Sequence, residues 1–205
     1  MKNLYEAKAA FFDEQVHAEW AAQAYGMKEK TKLRNLFDVT GPLLGLRLLE
    51  PGCGTGRLTE VLAAEVGPNG SVVAIDISPA MVMEAREKLS RYENVEILMG
   101  AVEEQVENIG KFHMIICHQV FPHFENPGDA LGKLSKMLHT GGRIVISHFI
   151  SSTEINDVHR KSNTAVAHDL IPPKATLRKW CGRLNLAIEA WRDNDEGYLL
   201  STRLN

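Results

Sequence analysis

The chain of 205 residues has few cysteines and no excess of positive charge. The three cysteines lie far apart and form no Cys-x-x-Cys pair, which argues against a disulfide framework and against a thiolate zinc site. Lysine and arginine together number 23, against 26 aspartates and glutamates, and the two signs are interspersed. Because a phosphate backbone requires a concentrated basic surface, nucleic acid is not an expected partner.

Long hydrophobic runs are also missing from the sequence. No stretch approaches the length that crosses a bilayer, and the N-terminal residues interleave charged and apolar side chains instead of forming the apolar core of a secretory signal. We therefore expect no membrane partner and a location in the reducing cytoplasm. The apolar content of 44% is still enough for the core of a single domain over residues 1–205.

Apolar segments of strand length alternate with helical patterns along most of the chain. This alternation predicts parallel strands joined by helices that cover both faces of a sheet. The predicted strands are residues 46–50, 71–76, 95–99, 112–117 and 143–149. The predicted helices between them are residues 56–66, 79–90 and 127–138, with a shorter one near 102–108.

The pattern changes after the fifth predicted strand. A helix is expected to begin at the proline pair 172–173, and two strand-like segments then flank "NDEG", which predicts a terminal antiparallel hairpin. The glycine-containing segments 67–70 and 139–142 are predicted to be turns. The expected fold class is α/β, with a doubly wound, mostly parallel seven-stranded sheet and a C-terminal antiparallel hairpin.

Two further segments lie outside this alternation. Residues 1–40 look helical and carry several aromatic side chains. An amphipathic stripe packed on the sheet is the preferred interpretation of this segment, and a lid over the substrate is the alternative. Residues 150–171 follow the fifth predicted strand and are expected to form an insertion that covers the pocket.

The segment "LLEPGCGTGRLTEVL", residues 48–62, places three glycines between the first predicted strand and the first helix. The spacing is G-x-G-x-G, one residue short of the dinucleotide-binding G-x-G-x-x-G, and no P-loop lysine follows. Glu50 would repel a diphosphate but attract an ammonium group, and Asp76 could accept hydrogen bonds from two ribose hydroxyls at the neighbouring strand end. These features predict a phosphate-free ligand that joins an amino acid to a nucleoside. The alternative is a tight turn with two helix-capping acids.

This combination resembles the class I methyltransferases that use S-adenosylmethionine. "LLEPGCGTG" is similar to their first motif, "VVAIDISPAMVMEAREK" to their second strand and helix, "VEILMGAVEE" to their adenine-side segment, and "LSKMLHTGGRIVIS" to their fifth-strand region. The resemblance implies a Rossmann-like fold and methyl transfer from S-adenosylmethionine to a small-molecule acceptor by in-line displacement. The implied cofactor contacts are Glu50, Gly52, Cys53, Gly54, Gly56, Asp76, Ile77, Met81, Ala101, Val102 and His118.

The resemblance also assigns parts of the cofactor to particular residues. Glu50 would meet the methionine amine, and Asp76 would hold the ribose. Family members often carry an acid that accepts the adenine amino group where this sequence has Ala101. The backbone of Val102 or the side chain of Glu103 is the candidate replacement for that acid. The residues expected against the adenine ring are Ile77 and Met81.

Histidines are concentrated on the segments that follow the fourth and fifth predicted strands. These histidines are His118, His123, His148, His159 and His168. Imidazole titrates near neutral pH and can accept a proton from a phenol, enol or thiol, so His123, His148 and His159 are the candidate catalytic bases. Taken singly, each of them is more readily explained as structural, and only their shared position near the pocket favours a catalytic role for at least one. A site for zinc, iron or nickel that includes Asp169 is the other alternative, although no pair has the i, i+4 spacing of two ligands on one helix face.

The sequence does not identify the methyl acceptor or the oligomeric state. It contains no "NPPY"-like motif of nucleobase amino methylation. Phe121, Phe124 and Phe149 would suit an aromatic or enolic metabolite, but packing in the core is the more common role of such residues. Two other functions stay open. A non-catalytic S-adenosylmethionine-binding regulator would keep the cofactor motif but lack an acceptor pocket. A nicotinamide-dependent oxidoreductase would need its third glycine one residue later and no carboxylate at Glu50.

Overall fold

The computed structural model describes residues 2–105, 108–162 and 164–205. Within these ranges seven strands form one sheet in the order β3-β2-β1-β4-β5-β7-β6. Pairing is parallel from β3 to β5, and β7 pairs antiparallel with both β5 and β6. The strands are β1 (Arg47–Pro51), β2 (Ser71–Asp76), β3 (Val95–Met99), β4 (Phe112–His118), β5 (Leu138–His148), β6 (Leu186–Asn194) and β7 (Gly197–Leu204). The predicted fold class, including the C-terminal hairpin, is confirmed.

Eight α-helices connect or precede these strands in the described part of the chain. They are α1 (Lys2–Glu14), α2 (Glu19–Ala22), α3 (Met27–Thr40), α4 (Arg57–Val66), α5 (Pro79–Leu89), α6 (Pro127–Lys136), α7 (Ser152–Lys161) and α8 (Lys174–Arg183). The helix predicted near 102–108 is a single 3-10 turn, Val102–Glu104, and residues 106 and 107 lie outside the described residues. None of the described helices is long and apolar enough to cross a membrane.

The central strands are buried on both faces. Leu49 and Ile115 belong to a core cluster that includes side chains of α6 and α8, whereas Leu48 and Met114 belong to a second cluster with side chains of α3 and α4. Successive strand residues point to opposite faces of a sheet, so adjacent leucines can serve two different layers. This packing explains why the strands are continuous apolar runs in the sequence and not alternating ones.

Local capping determines where several helices begin. The Ser78 hydroxyl accepts a hydrogen bond from the Met81 amide at the start of α5, and the Asn126 side chain accepts two backbone hydrogen bonds at the start of α6. Ser151 and Glu154 form a capping box at the start of α7. Because such caps satisfy the free amides of the first turn, they also fix the loops that lead from the strand ends into these helices.

The turn predicted at 139–142 is wrong, because these residues lie inside β5. The pairing of β5 with β4 shifts register at this point: Leu138 pairs with Phe112, and the next pair joins Arg143 to Met114. Gly141 has a φ of 77°, a left-handed conformation that favours glycine. The glycines therefore accommodate an irregularity at the start of a strand and do not form a connection between elements.

Candidate cofactor and acceptor site

A cavity of about 920 Å³, counted with its open mouth, lies at the carboxyl ends of β1, β2 and β4. This is the point where the strand order reverses, which is where open α/β sheets bind their ligands. The predicted cofactor residues that line the cavity are Glu50, Gly52, Cys53, Gly54, Asp76, Ile77, Met81, Ala101, Val102 and His118. Gly56, the remaining predicted cofactor residue, does not line the cavity. A Cβ atom at this position would meet Leu89 and Ala85, so the glycine allows α4 and α5 to pack closely.

The glycine loop is held tightly against the neighbouring strands. Gly52 has a φ of 67°, and a Cβ atom at this position would come within 2.2 Å of the Val120 side chain. Its amide donates a hydrogen bond of 2.7 Å to the Ile75 carbonyl, and the Gly54 amide donates one of 2.8 Å to the Asp76 carboxylate. A larger residue at Gly52 would therefore disturb both the turn and the packing behind it.

Three acidic side chains border the cavity at the ends of three adjacent strands. Glu103 follows β3, Asp76 is the last residue of β2, and Glu50 is the penultimate residue of β1. Since neighbouring strands lie about 4.8 Å apart, the acids form a row along one wall. Glu50 Oε2 and Glu103 Oε2 are both buried, and neither atom has a hydrogen-bond partner among the described residues. The second carboxylate oxygen of Glu103 accepts a hydrogen bond from the Tyr5 hydroxyl.

Burial controls the protonation of the two acids nearest the glycine loop. Removal from water, with a smaller contribution from the Asp76 carboxylate, raises the pKa of Glu50 to about 8. Burial also raises the pKa of Asp76, although the amides of Ser78, Gly54 and Ile77 oppose this change. A positively charged group in the cavity would favour the ionised form of Glu50, because it would compensate the cost of burying the charge.

Arg57, the first residue of α4, adds a cation to the same cavity. Its guanidinium lies 4.1 Å from the centre of the Tyr25 ring, and its Nη2 atom lies 3.1 Å from a Glu29 carboxylate oxygen. Its Nε atom is buried without a hydrogen-bond partner in the described ranges. Burial and then the Glu50 carboxylate raise the pKa of the Tyr25 phenol, while Arg57 lowers it, which places both charges beside this ring. Arg57 and the ionised form of Glu50 could thus pair with the two charges of a zwitterionic group.

The helices of the N-terminal segment pack in two different places. Helix α3 packs on the sheet through Leu33 and Leu36, which belong to the core. Helices α1 and α2 lie over the cavity, and Asp13 accepts hydrogen bonds from the Ser78 hydroxyl at 2.5 Å and the Ala80 amide at 3.0 Å. The residues of this segment that line the cavity are Tyr5, Phe12, Trp20, Ala21 and Tyr25.

His123 lines the cavity opposite the glycine loop and forms a pair with Asp169. The distance from His123 Nδ1 to Asp169 Oδ2 is 2.8 Å. Burial lowers the pKa of His123 and outweighs the opposing effect of Asp169. Burial raises the pKa of Asp169, but the hydrogen bonds from His123 and Lys8 outweigh it and hold that pKa below its usual value. A neutral imidazole next to a carboxylate is a suitable proton acceptor.

The other two predicted catalytic histidines are His148 and His159. Among the described residues they lie beside the main cavity but do not line it. The His159 ring packs against the His123 ring in a tilted arrangement, with 5.0 Å between the centroids, and its Nδ1 atom contacts the Asp169 carbonyl. His148 borders a smaller pocket that it shares with His118, and burial lowers the pKa of His118 to about 3. Within the described residues, no three His, Cys, Asp or Glu side chains converge in a way that could hold a metal ion.

Residues 44–199 match the family model of a methyltransferase domain. The chain belongs to this methyltransferase family. The matched range includes the glycine loop, all three acids of the cavity wall and His123, so the family shares the part of the fold that carries the cavity. The predicted resemblance to the class I methyltransferases is confirmed.

Curated relatives of this methyltransferase include two O-methyltransferases. It is 31% identical to malonyl-acyl-carrier-protein O-methyltransferase of Acetivibrio thermocellus over 69% of this chain and 50% of that protein. It is 28% identical to ubiquinone biosynthesis O-methyltransferase of Thiobacillus denitrificans over 72% of this chain and 64% of that protein. The chain therefore matches between half and two thirds of the length of these relatives.

Solved structures share the fold of this methyltransferase at low sequence identity. A SAM-dependent methyltransferase from Aquifex aeolicus superposes with a TM-score of 0.68 at 16% identity, over 96% of this chain and 98% of that one. Magnesium protoporphyrin IX methyltransferase from Synechocystis with bound SAM gives a TM-score of 0.69 at 19% identity, over 99% of this chain and 98% of that one.

Sequence reasoning missed several side chains that border the methyltransferase cavity. The sequence did contain a signal for Arg57, because this residue directly follows the third glycine at the start of a helix, and helix starts bind anions. Phe12, whose ring lies edge-on to His123 at 5.3 Å, is one of the aromatic side chains of the N-terminal segment, for which packing on the sheet was the preferred interpretation. Of the three phenylalanines expected there, Phe124 lines the main cavity, Phe121 is fully buried in the core, and Phe149 borders the smaller pocket.

Proposed function

We propose that this methyltransferase transfers a methyl group from S-adenosylmethionine to a hydroxyl group of a small-molecule acceptor. The observation that carries the proposal is the set of buried polar atoms without partners in the described structure: Glu50 Oε2 and Arg57 Nε near the glycine loop, and Glu103 Oε2 beyond Asp76. An amino-acid zwitterion would satisfy Glu50 and Arg57, and an aminopurine would satisfy Glu103, with the ribose of the same ligand between them at Asp76. A buried polar atom without a partner is costly, so its ligand is favoured.

Each part of the cofactor then has a residue of this chain to hold it. Glu50 would accept hydrogen bonds from the ammonium group, and Arg57 would donate to the carboxylate of the same amino acid. Asp76 would accept from the ribose hydroxyls, and Glu103 would replace the usual acid by accepting from the adenine amino group. The residues that would contact the cofactor by packing or through their backbone are Gly52, Cys53, Gly54, Ile77, Met81, Ala101, Val102 and His118.

His123 is the residue that we assign as the base. When bound, S-adenosylmethionine supplies a methyl group on a positively charged sulfur, so the protein needs mainly to align a nucleophile and remove its proton. His123 borders the cavity with Phe12, Phe124 and Tyr5, which favours a flat aromatic or enolic acceptor. An O–H acceptor of this kind requires a base, whereas a carboxylate acceptor does not. Both relatives described above carry the name O-methyltransferase, which supports oxygen as the accepting atom.

The proposal predicts that the parent protein binds S-adenosylmethionine and that Asp76→Ala binds it at least tenfold more weakly. The loss of one hydrogen bond to a charged group costs about 1.5 to 3 kcal/mol, which corresponds to such a factor. Isothermal titration calorimetry measures both affinities, with Asp38→Ala, an exposed change on α3, as the matched control. If Asp76→Ala and Asp38→Ala bind S-adenosylmethionine with equal affinity, Asp76 does not contact the cofactor.

A second experiment tests catalysis itself. Incubation with methyl-labelled S-adenosylmethionine and fractionated metabolite extract should give a labelled small molecule, and His123→Gln should reduce its formation by about a hundredfold while cofactor affinity stays the same. Binding without any labelled product would favour the non-catalytic regulator. Binding of a nicotinamide dinucleotide without S-adenosylmethionine would favour the oxidoreductase.

We also propose that the protein acts in the cytoplasm on small molecules and not on nucleic acid. The three free, buried cysteines and the interspersed charges of the sequence support this assignment.

A further inference from the structure

We propose that Lys8 is a positioning residue: from helix α1 it fixes the Asp169 carboxylate so that His123 offers an unprotonated Nε2 atom to the acceptor. This inference rests on the proposed function, in which His123 is the base. It assigns to the N-terminal segment a role in proton transfer as well as in covering the cavity.

The geometry joins three elements that are far apart in sequence. Lys8 Nζ lies 2.8 Å from Asp169 Oδ1, and it also donates a hydrogen bond of 2.7 Å to the His123 carbonyl. The other carboxylate oxygen, Asp169 Oδ2, lies 2.8 Å from His123 Nδ1. Each carboxylate oxygen therefore has its own charged or polar partner, and the lysine contacts both members of the pair.

Lys8 is unusual because its side chain is only 1% exposed. A buried lysine is rare unless it is paired, because the charge loses its hydration. Here the ion pair with Asp169 compensates that loss, and the arrangement depends on α1 lying against the cavity. A lysine placed for solubility or for surface charge would be exposed.

Lys8 affects the base in two ways. By keeping Asp169 ionised and in place, it makes His123 donate through Nδ1, which leaves Nε2 as the nitrogen that can accept a proton. By its positive charge it disfavours protonation of the imidazole before the acceptor arrives, and the neighbouring His159 acts in the same direction. Asp169 raises the pKa of His123 and so opposes only the effect of these two positive charges, and His148 is the other titratable group in this histidine cluster.

The same helix makes contacts on the cofactor side of the cavity. Asp13 binds the first turn of α5, which follows Asp76, and the Tyr5 hydroxyl contacts Glu103. When α1 packs in this position, it covers the cofactor side of the cavity and also holds Asp169 and His123 in place. In the reaction, the proton of the acceptor hydroxyl passes to His123 Nε2, and the resulting imidazolium faces the Asp169 carboxylate.

The test is nuclear magnetic resonance of histidine labelled with nitrogen-15, which needs neither cofactor nor acceptor. In the parent protein His123 should be neutral near pH 7 with its proton on Nδ1. Lys8→Met should raise the pKa of His123 by about one unit or more, because the imidazolium then becomes the only strong partner of the Asp169 carboxylate. Lys8→Arg should keep the parent pKa. Lys30→Met, the same change at an exposed position of α3, is the matched control.

An unchanged His123 pKa in folded Lys8→Met overturns the inference, and so does an equal rise in Lys30→Met. If Lys8→Met does not fold, the parent spectrum decides alone: a protonated His123, or a proton on Nε2, near pH 7 overturns the inference. Failure of the proposed function is seen separately, as absence of S-adenosylmethionine binding to the parent. With a known acceptor, Lys8→Met should move the acidic limb of the kcat profile to higher pH by the shift of the pKa, with KM for the cofactor unchanged.

Discussion

At the scale of single residues, Glu50 links the cavity to pH. Its carboxyl group is buried, and its pKa of about 8 lies above the ordinary value of 4.5, so the free protein holds this proton near neutral pH. Pairing with an ammonium group requires the ionised form, and binding must therefore release a proton below about pH 8.

We expect S-adenosylmethionine to bind more tightly as the pH rises from about 6 to about 8, by roughly tenfold per pH unit, and then to level off. Calorimetry in buffers with different ionisation enthalpies measures both the affinity and the released proton. Glu50→Gln should bind weakly and show little dependence on pH, whereas Glu65→Gln, an exposed change on α4, should behave like the parent. A parent affinity that is constant over this range contradicts the role of Glu50.

At the scale of elements, helix α1 is attached to the cofactor side mainly by one carboxylate. Asp13 accepts hydrogen bonds from the Ser78 hydroxyl and the Ala80 amide, and both groups belong to the start of α5. We expect Asp13→Ala to accelerate release of S-adenosylhomocysteine by about tenfold or more, because about 1.5 to 3 kcal/mol of charged hydrogen bonding is lost per bond. Stopped-flow fluorescence of Trp20, which lines the cavity, can follow the release.

The control for this prediction lies on the same helix. Glu14→Ala removes an exposed carboxylate next to Asp13 and should leave the release rate close to that of the parent. Hydrogen exchange of α1 should also be faster in Asp13→Ala and slower when S-adenosylhomocysteine is bound. Equal release rates in both variants would mean that α1 does not control access to the cavity.

Sequence patterns located most elements but not their irregular ends. The strands 71–76 and 95–99 were predicted with the observed bounds, because each is a short, mainly apolar run with sharp limits, although only the first is buried. The glycines at 141 and 142 were assigned to a turn because glycine marks turns as well as bulges. Only the register between β4 and β5 separates these two possibilities, and that register depends on residues that are distant in the sequence.

At the scale of the whole molecule, buried histidines make the fold sensitive to acid. Burial lowers the pKa of His118 to about 3 and that of His148 well below its ordinary value of 6.5. The unfolded chain binds protons at these histidines below about pH 6.5 while the folded chain does not. Each such histidine therefore makes stability fall by about 1.4 kcal/mol per pH unit as the pH drops, and His123, whose pKa burial also lowers, acts in the same direction. The raised pKa values of Glu50 and Asp76 have the opposite sign and offset part of this loss.

Thermal unfolding followed by circular dichroism should show a melting temperature that decreases from about pH 6.5 to about pH 5. His148→Gln should make this slope less steep, because one of the three buried histidines with a lowered pKa no longer titrates. The matched control is His17→Gln, since His17 is exposed between α1 and α2. The same slope in both variants would show that His148 is already protonated in the folded protein.

The sequence by itself determined the fold class, the cofactor type and the row of acids. Glu50 and Asp76 could be placed together because the carboxyl ends of parallel strands meet at one edge of the sheet, whatever the details of packing. The triad of Lys8, Asp169 and His123 was decided only by the tertiary structure. Its members lie on the first helix, a late loop and a turn after β4, and no periodicity or spacing relates residues that docking alone brings within 2.8 Å. Burial likewise decided which histidine borders the cavity, because the chemistry of an imidazole is the same at every position until its surroundings are known.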